Sequence, residues 1–248
     1  PPQARHRVIL LGIRDDVDVS HNILTPAFNR VETQAVISDL PKLRSRRSRG
    51  SDSLNAWRKA IAKSVTDQLI EQIQDSYVKE RMKRVRERAS IDLSPGGRFV
   101  ACGPGEVPCG GELARWIADP SLGGVCQHEA RAHMDSDLAR YLFVAAFGEK
   151  NRFSPKLRHF PEELLPNHKN VRDINGRARK SMNFHDRFRV QIACEPATTV
   201  TSHIRKDGHY FIHFDPEQCR SLTVREAARL QTFPDNYFFE GNRTEQYE

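Results

Sequence analysis

Segment 221–234 constrains the local fold more than any other part of the chain. Thr223 and Glu226 have the spacing of a capping box, in which each side chain satisfies the backbone amide of the other residue. Pro234 cannot continue a helix, because it has no amide hydrogen and its ring blocks the preceding turn. The sequence therefore predicts a short helix over 224–231 with a defined start and a defined end.

The composition is that of an ordinary globular protein with a basic excess. The chain has 248 residues, of which 38% are hydrophobic, and a formal net charge of +7. This length can form a core, and no apolar run reaches the length of a membrane span, so no membrane contact is expected. The positive charge favours a polyanionic partner such as nucleic acid.

The cysteines and histidines raise the question of a metal site. The five cysteines are widely spaced and form no C-x-x-C pair, which argues against a disulfide framework and for a reducing compartment. Cys102, Cys109, His128 and His133 are zinc-ligand types, but zinc ligands usually come in tighter pairs. We therefore predict no metal site and keep zinc as the alternative.

Several segments outside 221–234 show periodicity. Apolar residues recur every three or four positions over 54–89, which predicts a helical stripe that packs on a core. A well-buried helix is predicted over 135–147, and a short one near 112–118. Residues 41–53 carry five basic side chains, which predict a mobile, solvated loop; the alternative is a loop that contacts phosphate.

Two features predict strands. Residues 7–14 contain a continuous apolar run, which suits a buried strand in a covered sheet. Residues 198–202 and 209–214 are rich in β-branched and aromatic side chains and flank Asp207-Gly208, a strong turn signal. These two segments therefore predict a β-hairpin.

Two segments together resemble the cytosine-C5 DNA methyltransferase family. Gln3, Arg5 and Arg7 resemble its Q-x-R-x-R motif, which precedes a strand. Segment 220–234 is similar to its R-x-L-T-x-R-E-x-A-R-L-Q-x-F-P motif, matched at Arg220, Leu222, Thr223, Arg225, Glu226, Ala228, Arg229, Leu230, Gln231, Phe233 and Pro234. The family places its variable target-recognition region between these motifs.

The resemblance implies an α+β fragment, with one strand and the edge of an S-adenosylmethionine-dependent methyltransferase sheet followed by a mixed target-recognition domain. Residues 1–20 would end the catalytic domain, and 21–195 would form the target-recognition domain. Residues 196–248 would form the hairpin and capped helix that lead back to the family's last catalytic motif. We interpret the chain as cut at both ends, as a fragment or as a separate subunit.

The family's reaction implies which functions this chain would perform. The family adds a cysteine thiolate to carbon 6 of a flipped cytosine and then methylates carbon 5. The sequence contains neither the family's P-C-Q nucleophile motif nor its Glu-Asn-Val motif, and it lacks a glycine-rich strand-to-helix turn for the cofactor. S-adenosylmethionine is therefore expected in the complete enzyme but not on this chain alone, and a catalytic half is expected as partner.

In the family, the arginines of the first motif hold the target cytosine. The resemblance assigns Arg5 and Arg7 to this role, since a guanidinium suits both the cytosine carbonyl and a nearby phosphate. Gln3, in the same motif, is expected at the DNA. The alternative is that both arginines lie at a solvated strand entrance.

Duplex DNA is expected to be read by residues between the two motifs. Arg187, Arg189 and Gln191 alternate, so a strand would place them on one side, and Lys206 and His209 lie in the predicted turn. Such side chains can bind base edges in the major groove. The alternative is that they contact phosphates, which positions the protein without specifying a sequence.

The second motif is expected to be scaffold rather than substrate contact. Arg220, Thr223, Glu226, Arg229 and Gln231 would organise the recognition domain, with Glu226 satisfying backbone donors. The family implies a cytoplasmic, nucleoid-associated protein of prokaryotic type. Two other functions stay open, a stand-alone DNA-binding module without methylation and a structural protein that recruits another acidic partner.

Overall fold

The computed structural model describes residues 2–5, 10, 12–17, 30–88, 92–103, 106–167, 171 and 186–248. None of the helices within these ranges is long and apolar enough to cross a membrane. The elements, in chain order, are β1 Gln3–Ala4, α1 Gln34–Ile37, β2 Arg46–Arg47, α2 Leu54–Ser64, α3 Asp67–Gln72, α4 Ser76–Glu87, β3 Gly96–Ala101, α5 Gly111–Ile117, β4 Gly124–Glu129, β5 Ala132–His133, α6 Asp135–Asn151, β6 Ala197–Thr198 and α7 Val224–Leu230.

The helical segment predicted over 54–89 is three helices rather than one. Its apolar stripe does pack inward, since Trp57 and Ile61 are buried. The chain is interrupted because the side chains of Thr66 and Asp75 accept hydrogen bonds from amides in the first turns of α3 and α4. Such N-caps satisfy the free amides of a new helix and stabilise its start, so the periodicity alone concealed two breaks.

Helix α6 lies at the centre of the first hydrophobic core. The buried helix predicted over 135–147 is confirmed, and it continues to Asn151. Tyr141 and Leu142 are fully buried on it, and α2 and α4 pack against it. The helix ends at Arg152, which adopts a left-handed conformation with φ +59°.

Helix α7 belongs to a second core, which also contains α1, α5 and β4. Its predicted start is confirmed: the Thr223 side chain accepts from the Glu226 amide, and the Glu226 carboxylate accepts from the Thr223 amide. The buried faces of Val224 and Leu230 pack in this core. A helix of this length would not persist alone, so this packing stabilises it.

The sheets are small. Strands β3 and β4 pair antiparallel, while β1 pairs with β6 and β2 with β5 in parallel. Strand β1, near the start of the chain, therefore lies beside residues almost two hundred positions later. Seven helices and three two-stranded sheets in the described residues confirm the mixed α+β organisation.

The buried strand predicted over 7–14 is not supported by its described residues, Leu10 and 12–14. None of them lies in a strand, and Leu10 is 92% exposed. The structure records no neighbouring strand for these described residues, and an apolar run becomes a buried strand only when flanking strands pair with it.

The predicted β-hairpin between 198–202 and 209–214 is wrong. Thr198 pairs instead with Ala4, and Ser202–Arg205 is a 3-10 turn. Ile212 bridges to Val190 on one side and to Ser221 on the other. The turn at Gly208 is present, but the alternation of residue types did not reveal which segments would become neighbours.

The basic stretch 41–53 is partly held by ion pairs, while Lys42 and residues 49–53 are exposed, as the prediction of a solvated loop expects. Arg44 is buried and its guanidinium donates to Asp52 at 2.6 Å. Arg47 donates to both carboxylate oxygens of Asp135, at 3.0 and 2.7 Å. The charges that predicted a mobile loop are therefore partly neutralised by acids within the fold.

Candidate nucleic-acid interface

The second motif is built around a buried ion pair. Arg220 donates from Nη1 to Glu226 Oε2 at 2.7 Å and from Nη2 to Oε1 at 2.6 Å. The side-chain oxygen of Gln218 accepts from Nε and Nη2 of Arg220. Burial by itself raises the pKa of Glu226. The charge and the hydrogen bonds of Arg220 outweigh this effect and hold that pKa well below its usual range.

Two further arginines tie α7 to the surrounding chain. Arg229 donates to both carboxylate oxygens of Asp235, at 2.9 and 2.6 Å, and to Asp39 at 2.7 Å. Arg225 is fully buried and donates to three backbone carbonyls, those of Cys126, Pro234 and Tyr237. The Gln231 amide closes the last turn of α7.

Two histidines that were not expected to contact the second motif complete this network. His128 places Nδ1 3.0 Å from the Thr223 hydroxyl and Nε2 2.7 Å from the Pro41 carbonyl. Burial lowers the pKa of His128 and of His213 to about 4, so both are neutral at pH 7. No local pattern marks these residues, because their partners come from distant parts of the chain.

These contacts also bear on the zinc alternative. Both ring nitrogens of His128 have partners, and His133 likewise contacts Ser221 and Tyr141. Cys102 and Cys109 are half-buried thiols whose pKa is raised by burial, which disfavours the thiolate that zinc requires. The described residues contain no group of three metal-ligand side chains that could hold an ion.

Gln3 of the first motif lies inside the fold rather than at the surface. Its side-chain oxygen accepts from the Val200 amide at 2.9 Å, and the residue is 7% exposed. Its side chain therefore supports the β1–β6 pairing from within, and a contact between Gln3 and DNA stays a prediction. Arg5 follows β1 and is exposed, and Arg7 lies outside the described residues.

Gln191 is also an interior residue, at 1% exposure. Its oxygen accepts from the amide and the hydroxyl of Thr198, at 2.9 and 3.1 Å, and its nitrogen donates to the Tyr210 carbonyl. The prediction that it lies on one face with Arg187 and Arg189 is wrong. Gln191 joins segments 186–191, 197–200 and 209–212 from within.

Arg187 and Arg189 remain accessible. The Arg189 guanidinium pairs with Asp186 and lies 5.7 Å above the ring of Tyr210. Arg187 lies 3.6 Å from Asp207. These ion pairs are each about one-third exposed, and such pairs contribute only about 0–1 kcal/mol, so a phosphate or a base edge could replace the acids at little cost.

The two residues of the turn at 206–209 that were predicted to contact DNA, Lys206 and His209, differ in exposure. Lys206 is exposed, but His209 is only 8% exposed and its Nδ1 lies 2.7 Å from the Tyr141 hydroxyl. The His209 ring is therefore mostly enclosed, and its Nδ1 is engaged by Tyr141. The turn holds its shape because the His209 amide donates to the Asp207 carboxylate.

Four accessible cations thus lie on segments that the fold makes neighbours: Arg5, Arg187, Arg189 and Lys206, called here the cation group. Segment 3–5 pairs with 197–200, and the Arg189 amide donates to the His209 carbonyl. Gln191 joins segment 186–191 to segments 197–200 and 209–212, and Gln3 joins segment 3–5 to segment 197–200. The two buried glutamines therefore hold the segments that carry the cations next to each other. This arrangement offers several positive charges to one extended anion.

Two glycine pairs of the described residues differ from the turn that is typical of a nucleotide-like cofactor site. Gly96 and Gly97 begin a strand rather than follow one, and Gly110 and Gly111 lead into α5 from a turn. A nucleotide-like cofactor typically binds where a glycine-rich turn leaves a strand and enters a helix. None of the four glycines provides that geometry.

Comparison with known proteins gives a family for the whole chain. The family described as C-5 cytosine-specific DNA methylase matches residues 1–248. Type II methyltransferase M.Bpa9945I from Bacillus paralicheniformis is 46% identical over 124 residues, which cover 50% of this chain and 25% of that protein.

Two further relatives have the same type. Type II methyltransferase M1.HphI from Haemophilus parahaemolyticus is 34% identical over 49% of this chain and 26% of its own length. Type II methyltransferase M.DdeI from Desulfomicrobium norvegicum is 23% identical over 98% of this chain and 43% of its own length. The chain therefore spans less than half of each of these relatives.

Proposed function

Because the chain belongs to the C-5 cytosine-specific DNA methylase family, we propose that it is the target-recognition part of a DNA (cytosine-5-)-methyltransferase. It binds duplex DNA and helps to hold a flipped cytosine for methyl transfer from S-adenosylmethionine. The relatives are named type II methyltransferases, and we propose the same restriction–modification setting here.

The observation that carries this proposal is the position of the cation group. Arg5 comes from the first family motif, whereas Arg187, Arg189 and Lys206 come from the region between the motifs. The fold joins these segments through Gln3 and Gln191, whose side-chain amides form hydrogen bonds inside the fold. Duplex DNA carries closely spaced phosphates, so cations on adjacent segments can bind it together.

The roles within the site follow from chemistry. Arg5, with Arg7, would hold the cytosine carbonyl and its phosphate, because a guanidinium offers several donors in one plane. Arg187 and Arg189 would exchange their exposed acid partners for base edges or phosphates. Arg220, Glu226 and Arg229 would keep α7 and its neighbours fixed beneath them.

Methyl transfer would need a catalytic part that supplies the attacking thiolate and the cofactor site. Cys219 is fully buried, and burial raises the pKa of its thiol, so it is a poor nucleophile. The glycines of the described residues do not form a cofactor turn. We therefore propose that a catalytic half, in the same polypeptide or in another, completes the enzyme.

Binding is tested by fluorescence anisotropy with labelled mixed-sequence duplexes over a salt series. We expect the unsubstituted chain to bind with strong salt dependence, and the double variant Arg187→Gln, Arg189→Gln to bind less tightly with a smaller salt slope. Arg115→Gln, an exposed arginine on α5, is the matched control. Salt-independent binding, or equal loss in the control, would contradict a DNA interface at these residues.

The methyltransferase role needs a second assay. The chain is mixed with a catalytic half of the same family type, and transfer of labelled methyl groups to duplex DNA is measured. Activity in the mixture alone, abolished by Arg7→Ala, is expected. DNA binding without any activity in the mixture would indicate a stand-alone DNA-binding module.

A further inference from the structure

A continuous chain of four polar side chains runs through the first core toward the turn at 206–209. Ser221 Oγ lies 3.1 Å from His133 Nε2, and His133 Nδ1 lies 3.2 Å from the Tyr141 hydroxyl. The same hydroxyl lies 2.7 Å from His209 Nδ1. All four residues are buried, and we call them the relay.

The relay can carry its hydrogens in only one direction without leaving a buried donor unpaired. A tyrosine hydroxyl has one hydrogen, so Tyr141 donates to one histidine and accepts from the other. If Tyr141 donated to His133, His133 Nε2 would carry a hydrogen and donate to Ser221. The Ser221 hydroxyl would then need another acceptor, and the structure records none among the described residues.

In the opposite direction every buried donor has a partner. Ser221 donates to His133 Nε2, His133 Nδ1–H donates to Tyr141, and Tyr141 donates to His209 Nδ1. The two distances at Tyr141 agree with this direction, since a hydroxyl donor makes a shorter hydrogen bond than a ring N–H donor. The contact at His209 is the shorter one, at 2.7 Å, and that between His133 and Tyr141 is 3.2 Å.

This direction fixes the hydrogen of His209 on Nε2. The only buried side-chain nitrogens or oxygens without a partner in the described residues are the Nε atoms of Arg44, Arg46 and Arg131. His209 Nε2 is not among them, and no hydrogen bond to it is recorded within the described residues, which leaves Nε2–H as the ring donor not used there. Burial lowers the pKa of His209, which keeps the ring neutral.

We propose that His209 Nε2–H is a specificity-determining donor to duplex DNA and that Ser221, His133 and Tyr141 are positioning residues that fix its tautomer. This inference rests on the proposed function. The donor fits an acceptor atom on a base edge, such as O6 or N7 of guanine or O4 of thymine. It cannot form a hydrogen bond with the amino groups of adenine and cytosine, because these groups are also donors.

The direction of the relay is tested without DNA by the ¹⁵N chemical shifts of the histidine rings at neutral pH. We expect His209 to carry its hydrogen on Nε2 in the unsubstituted chain. Tyr141→Phe and Ser221→Ala each break the relay, and each should give His209 a mixture of tautomers. Tyr247→Phe removes another buried tyrosine hydroxyl, which donates to the Leu222 carbonyl, and should leave His209 unchanged. Hydrogen on Nδ1 of His209 in the unsubstituted chain would overturn the inference.

Duplex binding then tests the recognition role. Tyr141→Phe should weaken binding about three- to tenfold, the effect of one hydrogen bond, while Tyr247→Phe and a thermal melt control for stability. His209→Gln, which keeps an N–H donor near the Nε2 position, should bind more tightly than His209→Phe. Weakening that differs between unrelated duplexes supports a base acceptor, and equal weakening on all of them would overturn the specificity role of His209.

The two proposals can fail separately. If the unsubstituted chain does not bind duplex DNA, the proposed function fails, and the recognition role of His209 fails with it. If the unsubstituted chain binds and both Tyr141→Phe and His209→Phe bind equally well, the proposed function stands and the role of His209 is overturned.

Discussion

Arg220 and Glu226 form a two-point ion pair in which both side chains are 1% exposed. Removing two charges from water is costly, and the pair persists because every remaining hydrogen-bonding position has a partner. The Glu226 carboxylate also accepts a hydrogen bond from the Thr223 amide, and Nη1 of Arg220 also donates to the Ser221 carbonyl. The pair therefore connects the start of α7 to the segment that leads to the turn at 206–209.

Glu226→Gln should strongly destabilise the protein. The change leaves the Arg220 charge buried without a counter-charge, and breaking such a pair costs about 3–5 kcal/mol. The free energy of unfolding is measured by urea denaturation followed by circular dichroism. Glu71→Gln is the control, because Glu71 forms an exposed ion pair with Lys79 and its loss should cost less than about 1 kcal/mol. Equal effects of the two changes would contradict the importance of burial.

The protein should lose stability as the pH falls from about 6.5 to about 4. Burial lowers the pKa of His128 and His213 to about 4, whereas an unfolded histidine titrates near 6.5. The unfolded chain therefore binds more protons in this interval, and stability is full above it and decreases within it. Thermal melts across the interval check this, and His203→Gln, at an exposed histidine, should not change the profile. A flat profile between these pH values would refute it.

Gln191→Ala should both destabilise the fold and weaken duplex binding. It leaves the Thr198 amide and the Tyr210 carbonyl without their partner, at a cost of about 1–3 kcal/mol for such buried groups. The segments that carry Arg187 and Lys206 would then lose their common attachment. Urea denaturation and anisotropy measure the two effects. Gln231→Ala, at a half-buried residue, serves as control, and binding unchanged in Gln191→Ala would exclude this role.

Gly208→Ala should cost about 1–3 kcal/mol of stability and disturb the turn at 206–209. Gly208 has φ +74°, and an added Cβ would lie 2.7 Å from the side chain of Ser221. Thermal melts compare this variant with Gly103→Ala, where an added Cβ meets nothing within 4 Å. A melting temperature lowered equally in both variants would show that the close approach to Ser221 is unimportant.

Local sequence rules predicted the helices well, because helix starts and ends depend on residues within one turn of each other. Thr223 and Glu226 are three positions apart, so their capping box could be read directly. The same rules missed the breaks at Thr66 and Asp75, since the apolar stripe continues across both caps. Periodicity reports the buried face and does not report the interruptions.

The motif residues themselves were predicted from the sequence, but their surroundings were not. Nothing near Arg225 in the chain indicates that it is fully buried, because Cys126 is one of its partners and lies about a hundred positions away. The alternation of residues predicts Gln191 on the same side as Arg189, and only its contacts with Thr198 and Tyr210 show it to be an interior residue.

The sequence by itself determined the family motifs, the helix α7 with its cap, and the basic character of the chain. Only the tertiary structure decided which cations stand near each other and which polar side chains are used up inside. The physical reason is the range of the interactions. Propensity and capping act over a few residues, whereas burial and the pairing of Gln3 with Val200 require segments that only the folded chain brings together.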